Sequence, residues 1–249
     1  MKLLLRWIAL ACVLVLALQL FFAARIAAMV VLDPSSTAFQ RSEAARLARA
    51  GTPGKWRQQW VDYPALSDNL KRAVIASEDA DFVNHRGVEW AAIRGAWSRN
   101  ARAEAQAARR LEQAEARGRA LSGVPAARIV GGSTITQQLA KNLFFAGERN
   151  LLRKAQELVV TLLLEAFLSK QRILEIYLNS VEWGEGIFGA EAAAQHYFHK
   201  PAARLSASEA ARLAVMLPRP RYFERLPQSG YIASRAGTIA ARMGGVALP

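Results

Sequence analysis

Gly131-Gly132-Ser133-Thr134-Ile135-Thr136-Gln137-Gln138-Leu139-Ala140-Lys141-Asn142 is the stretch from which the rest of the chain can be read. Two glycines free the backbone for close approach, and Ser133 and Thr134 stand where a side-chain oxygen can cap a following helix. The bare N–H groups of such a helix start attract anions. Gln137, Gln138, Lys141 and Asn142 then crowd its first turns. Gln138 lies three residues before Lys141 and four before Asn142, so these side chains share a face. The surface suits a sugar-phosphate ligand, although a simple capped helix accounts for the same letters. A P-loop is excluded, because G-x-x-x-x-G-K-[ST] is absent.

Upstream, Leu66, Leu70, Val74 and Ile75 mark one apolar face of a helix that Pro64 is expected to open. It ends in Glu78, Asp79 and Asp81, followed by Phe82, His85 and Gly87. Acids at a helix C-terminus oppose its dipole, which should raise the pKa of Glu78. A solvated turn with local Asx bonding is the plainer reading. Downstream, Arg149, Arg153 and Lys154 gather positive charge at the start of an apolar stretch, and Glu157 is within pairing distance of Arg153 and Lys154 on a helix. Leu151 to Leu178 reads as one or two helices with a strongly apolar face of Leu158, Leu162, Leu163, Ala166 and Leu168. Tyr177 and Asn179 read as packing and capping at its end.

Further out, the first residues are apolar. Trp7 to Ala24 holds 18 residues without a charge, roughly 27 Å of helix, with Lys2 and Arg6 before it and Arg25 after it. The flanks keep the short basic end in the cytoplasm and send the body across; a cleaved signal peptide is the rival reading. Asp33 to Thr37 is turn-rich, residues 38–60 hold a short helix, and 89–117 read as a solvated Ala/Arg/Glu helix without a wide apolar stripe. Ser206 to Glu209 resembles an N-cap, and Pro218 and Pro220 close the helix that follows. Alternating runs are few, so the body is expected to be mainly α. The divisions are an anchor over 1–32, a juxtamembrane linker over 33–59, a domain over 60–226 and a C-terminal tail over 227–249.

With 52% hydrophobic and 21% charged residues over 249 positions, wholesale disorder is excluded. Cys12 is the one cysteine, so neither an intramolecular disulfide nor a cysteine-based zinc site can form. Thirty-three Lys and Arg against 20 Asp and Glu give +13, which calls for polyanionic company. A body outside the cytoplasm leaves anionic lipid or a lipid phosphate as the partner, and not nucleic acid.

Taken together and in order, the segments are specific. Glu78, Asp79, Phe82, His85 and Gly87 form E-D-x-x-F-x-x-H-x-G; Gly131 to Asn142 form G-G-S-T-I-T-Q-Q-x-x-K-N; Arg153, Lys154 and Glu157 form R-K-x-x-E; Ile173 to Asn179 form I-L-E-x-Y-L-N. Gly189 to Phe198, and Leu217, Pro218 and Pro220, add two further matches. The chain thus resembles the peptidoglycan glycosyltransferases, in their monofunctional membrane-anchored branch, over residues 60–226 plus the anchor.

The resemblance implies a mainly α, lysozyme-like domain behind one transmembrane helix at the inner membrane, with the domain periplasmic. It implies polymerisation of lipid II into β-1,4-linked glycan by one inverting displacement that releases undecaprenyl pyrophosphate. Glu78 would be the base, and Glu157 would orient cations or help hold a divalent ion. Ser133, Thr134, Gln137, Gln138, Lys141, Asn142, Arg149, Arg153 and Lys154 would bind substrate. No cofactor is required, while magnesium or manganese is compatible with the pyrophosphate. Partners would be lipid II, the growing strand, membrane lipids, and other cell-wall synthesis or division proteins.

About 43 residues separate Gly87 from Gly131, longer than the family pattern, which places a mobile Ala/Arg-rich flap near 100–125. No Ser-x-x-Lys occurs, and 249 residues leave no room for a transpeptidase module. A lysozyme-like lytic enzyme and a non-catalytic cell-wall scaffold are the alternatives.

Overall fold

The computed structural model describes residues 1–116, 132–146 and 150–249. Helix α1 (Lys2–Ala28) contains the uncharged run. Among the described residues it is the one helix long and apolar enough to cross a membrane, and only 6% of its most apolar window is buried. Its last turns behave differently. Phe22, Ile26 and Met29 are buried in the core, Phe22 meets Phe144 edge-on at 5.1 Å, and Gln19 Nε2 donates to Gln156 Oε1 at 3.0 Å. The anchor is therefore docked on the body. Arg172 fastens the exit, donating to the carbonyls of Met29 and Leu32 and pairing with Asp33 at 2.7 Å.

Residues 33–59, expected to be a linker, are instead built into the fold. Helix α2 (Ala38–Arg49) opens on a capping box between Thr37 and Gln40 and buries Leu47 completely. Strand β1 (Arg57–Gln58) then joins a small sheet with β2 (Glu182–Gly184) and β3 (Ile187–Phe188), in the order β1-β3-β2. β1 runs parallel to β3 with Arg57 opposite Ile187, and β2 runs antiparallel to it.

Pro64 does not open the next helix. It sits in a 3-10 turn over Tyr63–Ala65, and α3 (Asp68–Glu78) begins behind Ser67, whose hydroxyl accepts from Asn69 N. α3 buries Leu70, Ala73, Val74, Ile75 and Ala76. Helix α4 (Trp90–Ala116) is the expected solvated Ala/Arg helix, and Ala101–Arg110 are nearly all exposed. The anticipated flap coincides with its outer end; residues 117–125 lie outside the described residues.

α5 (Ile135–Phe144), α6 (Leu151–Phe167) and α7 (Lys170–Ser180) follow. The break between α6 and α7 comes at Ser169, whose hydroxyl caps α7 by accepting from Arg172 N. The buried side chains of α6 are Glu157, Val160, Thr161 and Leu164; of the apolar face expected from the leucines, Leu168 is buried just beyond the helix and Leu163 packs against the core, while Leu162 is 51% exposed. α6 is apolar on more than one face, so periodicity alone could not choose between them.

α8 (Ala190–Phe198) and α9 (Ala207–Met216) lead through the short α10 (Pro220–Phe223) to α11 (Gly230–Met243). The expected C-terminal tail is therefore part of the core. Ile232, Ala236, Ile239 and Met243 recur at helical spacing, are buried, and pack α11 onto α3 and α9. Arg72 of α3 donates to the carbonyl of Val246 beyond it. At about 1.5–3 kcal/mol for each large apolar side chain buried, Ile232, Ile239 and Met243 contribute materially to the stability of this helix triad.

Candidate active site

The site forms where the end of α3 meets the start of α5. α3 runs out at Glu78, and Asp79 turns the chain. Asp79 is buried. Its Oδ1 lies 2.8 Å from His85 Nε2, and its Oδ2 accepts from the backbone N–H of Ile135 at 2.9 Å. Gly87 N donates to His85 Nδ1 at 3.1 Å, so the ring proton is on Nε2, facing Asp79. Thr134 Oγ1 donates to the carbonyl of Gly87 at 2.6 Å. Gly87 has φ +80°, and a Cβ there would stand 2.8 Å from Thr161 Cγ2. These contacts make one rigid joint of the turn after α3 and the first turn of α5. Phe82 is buried beneath it, with Lys170 Nζ 4.5 Å from its ring centre.

The joint aims Glu78 and Asp79 in different directions. Asp79 braces the backbone, while Glu78 lines a cleft of about 600 Å³ with Arg219, Tyr222, Tyr231 and Arg235. Gln138 Nε2 donates to Glu78 Oε2 at 2.8 Å, and Tyr177 Oη donates to Gln138 Oε1 at 3.0 Å. Tyr177 is fully buried, and burial pushes its phenol well above the usual range. It is thus the fixed end of a three-residue chain that holds the carboxylate, not mere packing at a helix end. Burial raises the Glu78 carboxyl above its ordinary value; Asp79 adds to the rise, while Gln138, Arg235 and Lys141 pull it down. The expected direction is present, but its main cause is desolvation rather than the dipole of α3.

A second region lies along α5 and α6. Ser133, Lys141, Arg153, Lys154 and Glu157 line a cavity of about 450 Å³. Glu157 is buried and pairs with Arg153 at 3.1 Å and Lys154 at 3.2 Å, so it presets the two cations. Asn150, which sequence reading passed over, caps α6 by accepting from Arg153 N at 2.8 Å. An adjoining cavity of about 440 Å³ shares Ser133 and Lys154 and is walled by Trp97 and Glu104 of α4, together with Gln137.

Not every expected ligand residue is free for that work. Thr134 is buried and, with Gln137, forms the capping box of α5. The amide nitrogen and oxygen of Gln138 are engaged by Glu78 and Tyr177 respectively, and Asn142 is buried. Ser133 and Lys141 are exposed at the cavity. Arg149 lies outside the described residues, as does Gly131. Among the described residues no cluster of three or more His, Cys, Asp or Glu side chains is placed to hold a metal.

Residues 43–110 and 114–244 match the Transglycosylase family model. The chain belongs to the transglycosylase family. Its helical body is the lysozyme-like domain of that family, and the match extends into the segments expected to be linker and tail. Among similar proteins, the biosynthetic peptidoglycan transglycosylase of Burkholderia thailandensis is 54% identical over 234 residues, covering 94% of this chain and 83% of that protein. That of Burkholderia pseudomallei is 53% identical over the same span. The one from Bordetella pertussis is 52% identical over 217 residues, 87% of this chain and 82% of that protein.

Proposed function

We propose that this transglycosylase polymerises lipid II at the outer face of the bacterial inner membrane, releasing undecaprenyl pyrophosphate. The observation that carries the reading is Glu78, a carboxylate held by Gln138 at 2.8 Å in a cleft, together with a second cavity lined by Lys141, Arg153 and Lys154.

Glu78 takes the proton of the 4-hydroxyl of an N-acetylglucosamine as that oxygen attacks the anomeric carbon of the donor. The bond from that carbon to the pyrophosphate oxygen breaks from the opposite side, so an α-linked donor gives a β-linked product in one inverting displacement. A positioned base contributes about 10²–10⁴-fold. The negative charge left on the pyrophosphate falls to Lys141, Arg153 and Lys154, electrostatic help of the kind that often forms the largest single contribution. Glu157 keeps Arg153 and Lys154 in place between turnovers. A magnesium or manganese ion arriving with the phosphates would find, among the described residues lining this cavity, one protein carboxylate, Glu157, which is compatible with an ion held mainly by substrate phosphates. Such an ion would neutralise leaving-group charge.

The substrate is tied to the bilayer by its polyprenyl chain. The docked anchor confines enzyme and substrate to one surface and raises their effective concentration. Leu151, Leu152, Leu162 and Phe167, exposed on α6 beside α1, suit the same lipid surface. Lys2 and Arg6 support an orientation with the body periplasmic. The test is incubation of the purified full chain with lipid II in detergent. Growing glycan polymer is the expected product; released fragments from preformed glycan, or no product, would reject the reading.

A further inference from the structure

Six charged side chains form one connected network, and none of them lines the cleft of Glu78 or the cation cavity of α5 and α6. Arg221 of α10 donates to Glu182 Oε1 through Nε at 3.0 Å and Nη2 at 2.9 Å, and its Nη2 also meets Glu43 Oε2 of α2 at 2.5 Å. Glu43 continues to Arg46 at 2.7 Å, Arg46 to Glu185 at 2.9 Å, and Glu185 to Lys55 at 2.6 Å. Four segments are thereby joined: α2, the 3-10 turn over Pro53–Lys55, the β2–β3 connection and α10. The two carboxylates that share Arg221 have side chains only 12% exposed for Glu43 and 7% for Glu182. Without Arg221, these two largely buried negative charges would face each other with one cation fewer.

α10 has only four residues, and Pro218 and Pro220 at its entry donate no backbone hydrogen bonds, so its place depends largely on its side chains. Arg219, Tyr222, Phe223 and Leu226, at helical spacing, line the Glu78 cleft. Arg221 and Glu224, three residues apart, turn to the sheet instead: Arg221 reaches Glu182, and Glu224 accepts from Glu185 N at 2.9 Å. α10 is thus a short bar with the cleft on one side and the ion network on the other. The network's other end is fixed on α2, the first helix after the anchor, and Arg172 ties down the chain entering α2 through Asp33. We propose that Arg221, Glu182 and Glu43 are positioning residues for the transfer reaction: they touch no reacting group, but they hold α10 so that the wall it gives the cleft stays in register with Glu78. The proposal rests on the transglycosylase reading above. Losing the network lets α10 drift from α3, whatever the cleft receives.

The experiment uses the detergent-solubilised full chain and compares the wild type with Arg221→Gln, Glu43→Gln, the double variant and Arg221→Lys. Steady-state kinetics with lipid II and a thermal melt are recorded for each. Arg221→Gln should lower kcat/KM roughly tenfold per folded molecule, mostly through KM, because the base and the cations of α5 and α6 stay in place while the wall is misplaced. The double variant should be no worse than Arg221→Gln, since partners in one network do not add. Arg221→Lys should recover part of the loss, keeping the charge without the fork. Lys200→Gln, which breaks an ion pair with Glu209 outside the network, should change neither constant.

A pair of spin labels reads the wall directly. In a Cys12→Ser background they are attached through Arg225→Cys, just past α10, and Thr238→Cys, exposed on α11. Without substrate, Arg221→Gln and Glu43→Gln should shift or broaden the distance between the labels, and Lys200→Gln should not. An unchanged KM in folded Arg221→Gln would overturn the proposal. So would an unchanged label distance, losses that multiply independently in the double variant, or activity that falls only in step with the folded fraction. If Arg221→Gln fails to fold, Arg221→Lys and Glu43→Gln decide by the same readings. A wild type that makes no polymer would instead overturn the polymerase reading, while the label distances still show whether the network holds α10.

Discussion

Glu78 is held against its own electrostatic preference. Burial and the neighbouring Asp79 favour the protonated form, while catalysis as a base needs the ionised one. The sign for stability follows directly. A carboxyl whose folded pKa is raised binds its proton more tightly in the folded state, so stability falls as pH rises from the ordinary carboxylate pKa through the folded value. Glu78→Gln should therefore melt no earlier than wild type at pH 7–8, with its relative advantage vanishing below the ordinary carboxylate range. Its polymerisation rate should fall about 10²-fold or more. Thermal melts across pH alongside a lipid II assay check both, and near-normal turnover would shift the base assignment to Glu157. Wild-type kcat/KM should fall with acid through a pKa above that of an ordinary glutamate. Asp79→Asn should do the opposite of Glu78→Gln. Its bonds to His85 and to Ile135 N are charge-assisted and buried, so about 1.5–3 kcal/mol of stability is at stake, with turnover per folded molecule largely kept. Urea titration reads the first quantity and active-site-normalised kinetics the second.

Among the elements, α5 and α6 are bound to their tasks by short-range rules visible in the letters. Thr134 with Gln137, Asn150 and Ser169 each cap a helix, and that is why helices begin where they do. The letters offered Ser133 or Thr134 as the cap, but did not show that Gln137 would be engaged in closing the box with Thr134. Nor did they show that Gln138 would turn toward Glu78, which lies 60 residues away in sequence. Lys141→Ala should cut donor use while leaving the melting temperature within a few degrees, because Lys141 is exposed at the cavity. Steady-state kinetics with lipid II against a thermal melt separates the two. The joint between α3 and α5 is less forgiving. Gly87→Ala would place a Cβ against Thr161 and Glu165 at positive φ, for an expected loss of about 1–3 kcal/mol in a denaturation series. Helix α4 is the counterexample, since its outer half buries little. Removing residues 102–110 should lower the melting temperature by no more than about 3 °C, the equivalent of about 1 kcal/mol in a domain of this size. A much larger fall would show that this half of α4 supports the core.

For the molecule as a whole, α1 is both a membrane helix and a packing element. Protease added outside spheroplasts should digest the body; protection of residues 40–249 would reverse the orientation. Deleting residues 1–32 should cost stability as well as membrane attachment, because Phe22, Ile26 and Met29 leave the core, and a truncated chain that melts like the full one would contradict this. The sequence by itself determined the apolar anchor, the mainly helical body and the order of the motifs, since charge, periodicity and local spacing are properties of neighbouring residues. Only the tertiary structure decided which face of α6 is buried, because the helix offers more than one apolar face. It also decided that residues 33–59 and 227–249 belong to the body, through contacts such as Arg57 opposite Ile187 and Arg72 on Val246 that join positions more than a hundred residues apart. The same long-range packing brought Tyr177 behind Glu78 and Arg235 into its cleft. No local pattern encodes such meetings, because they depend on where separate helices come to rest against a shared core.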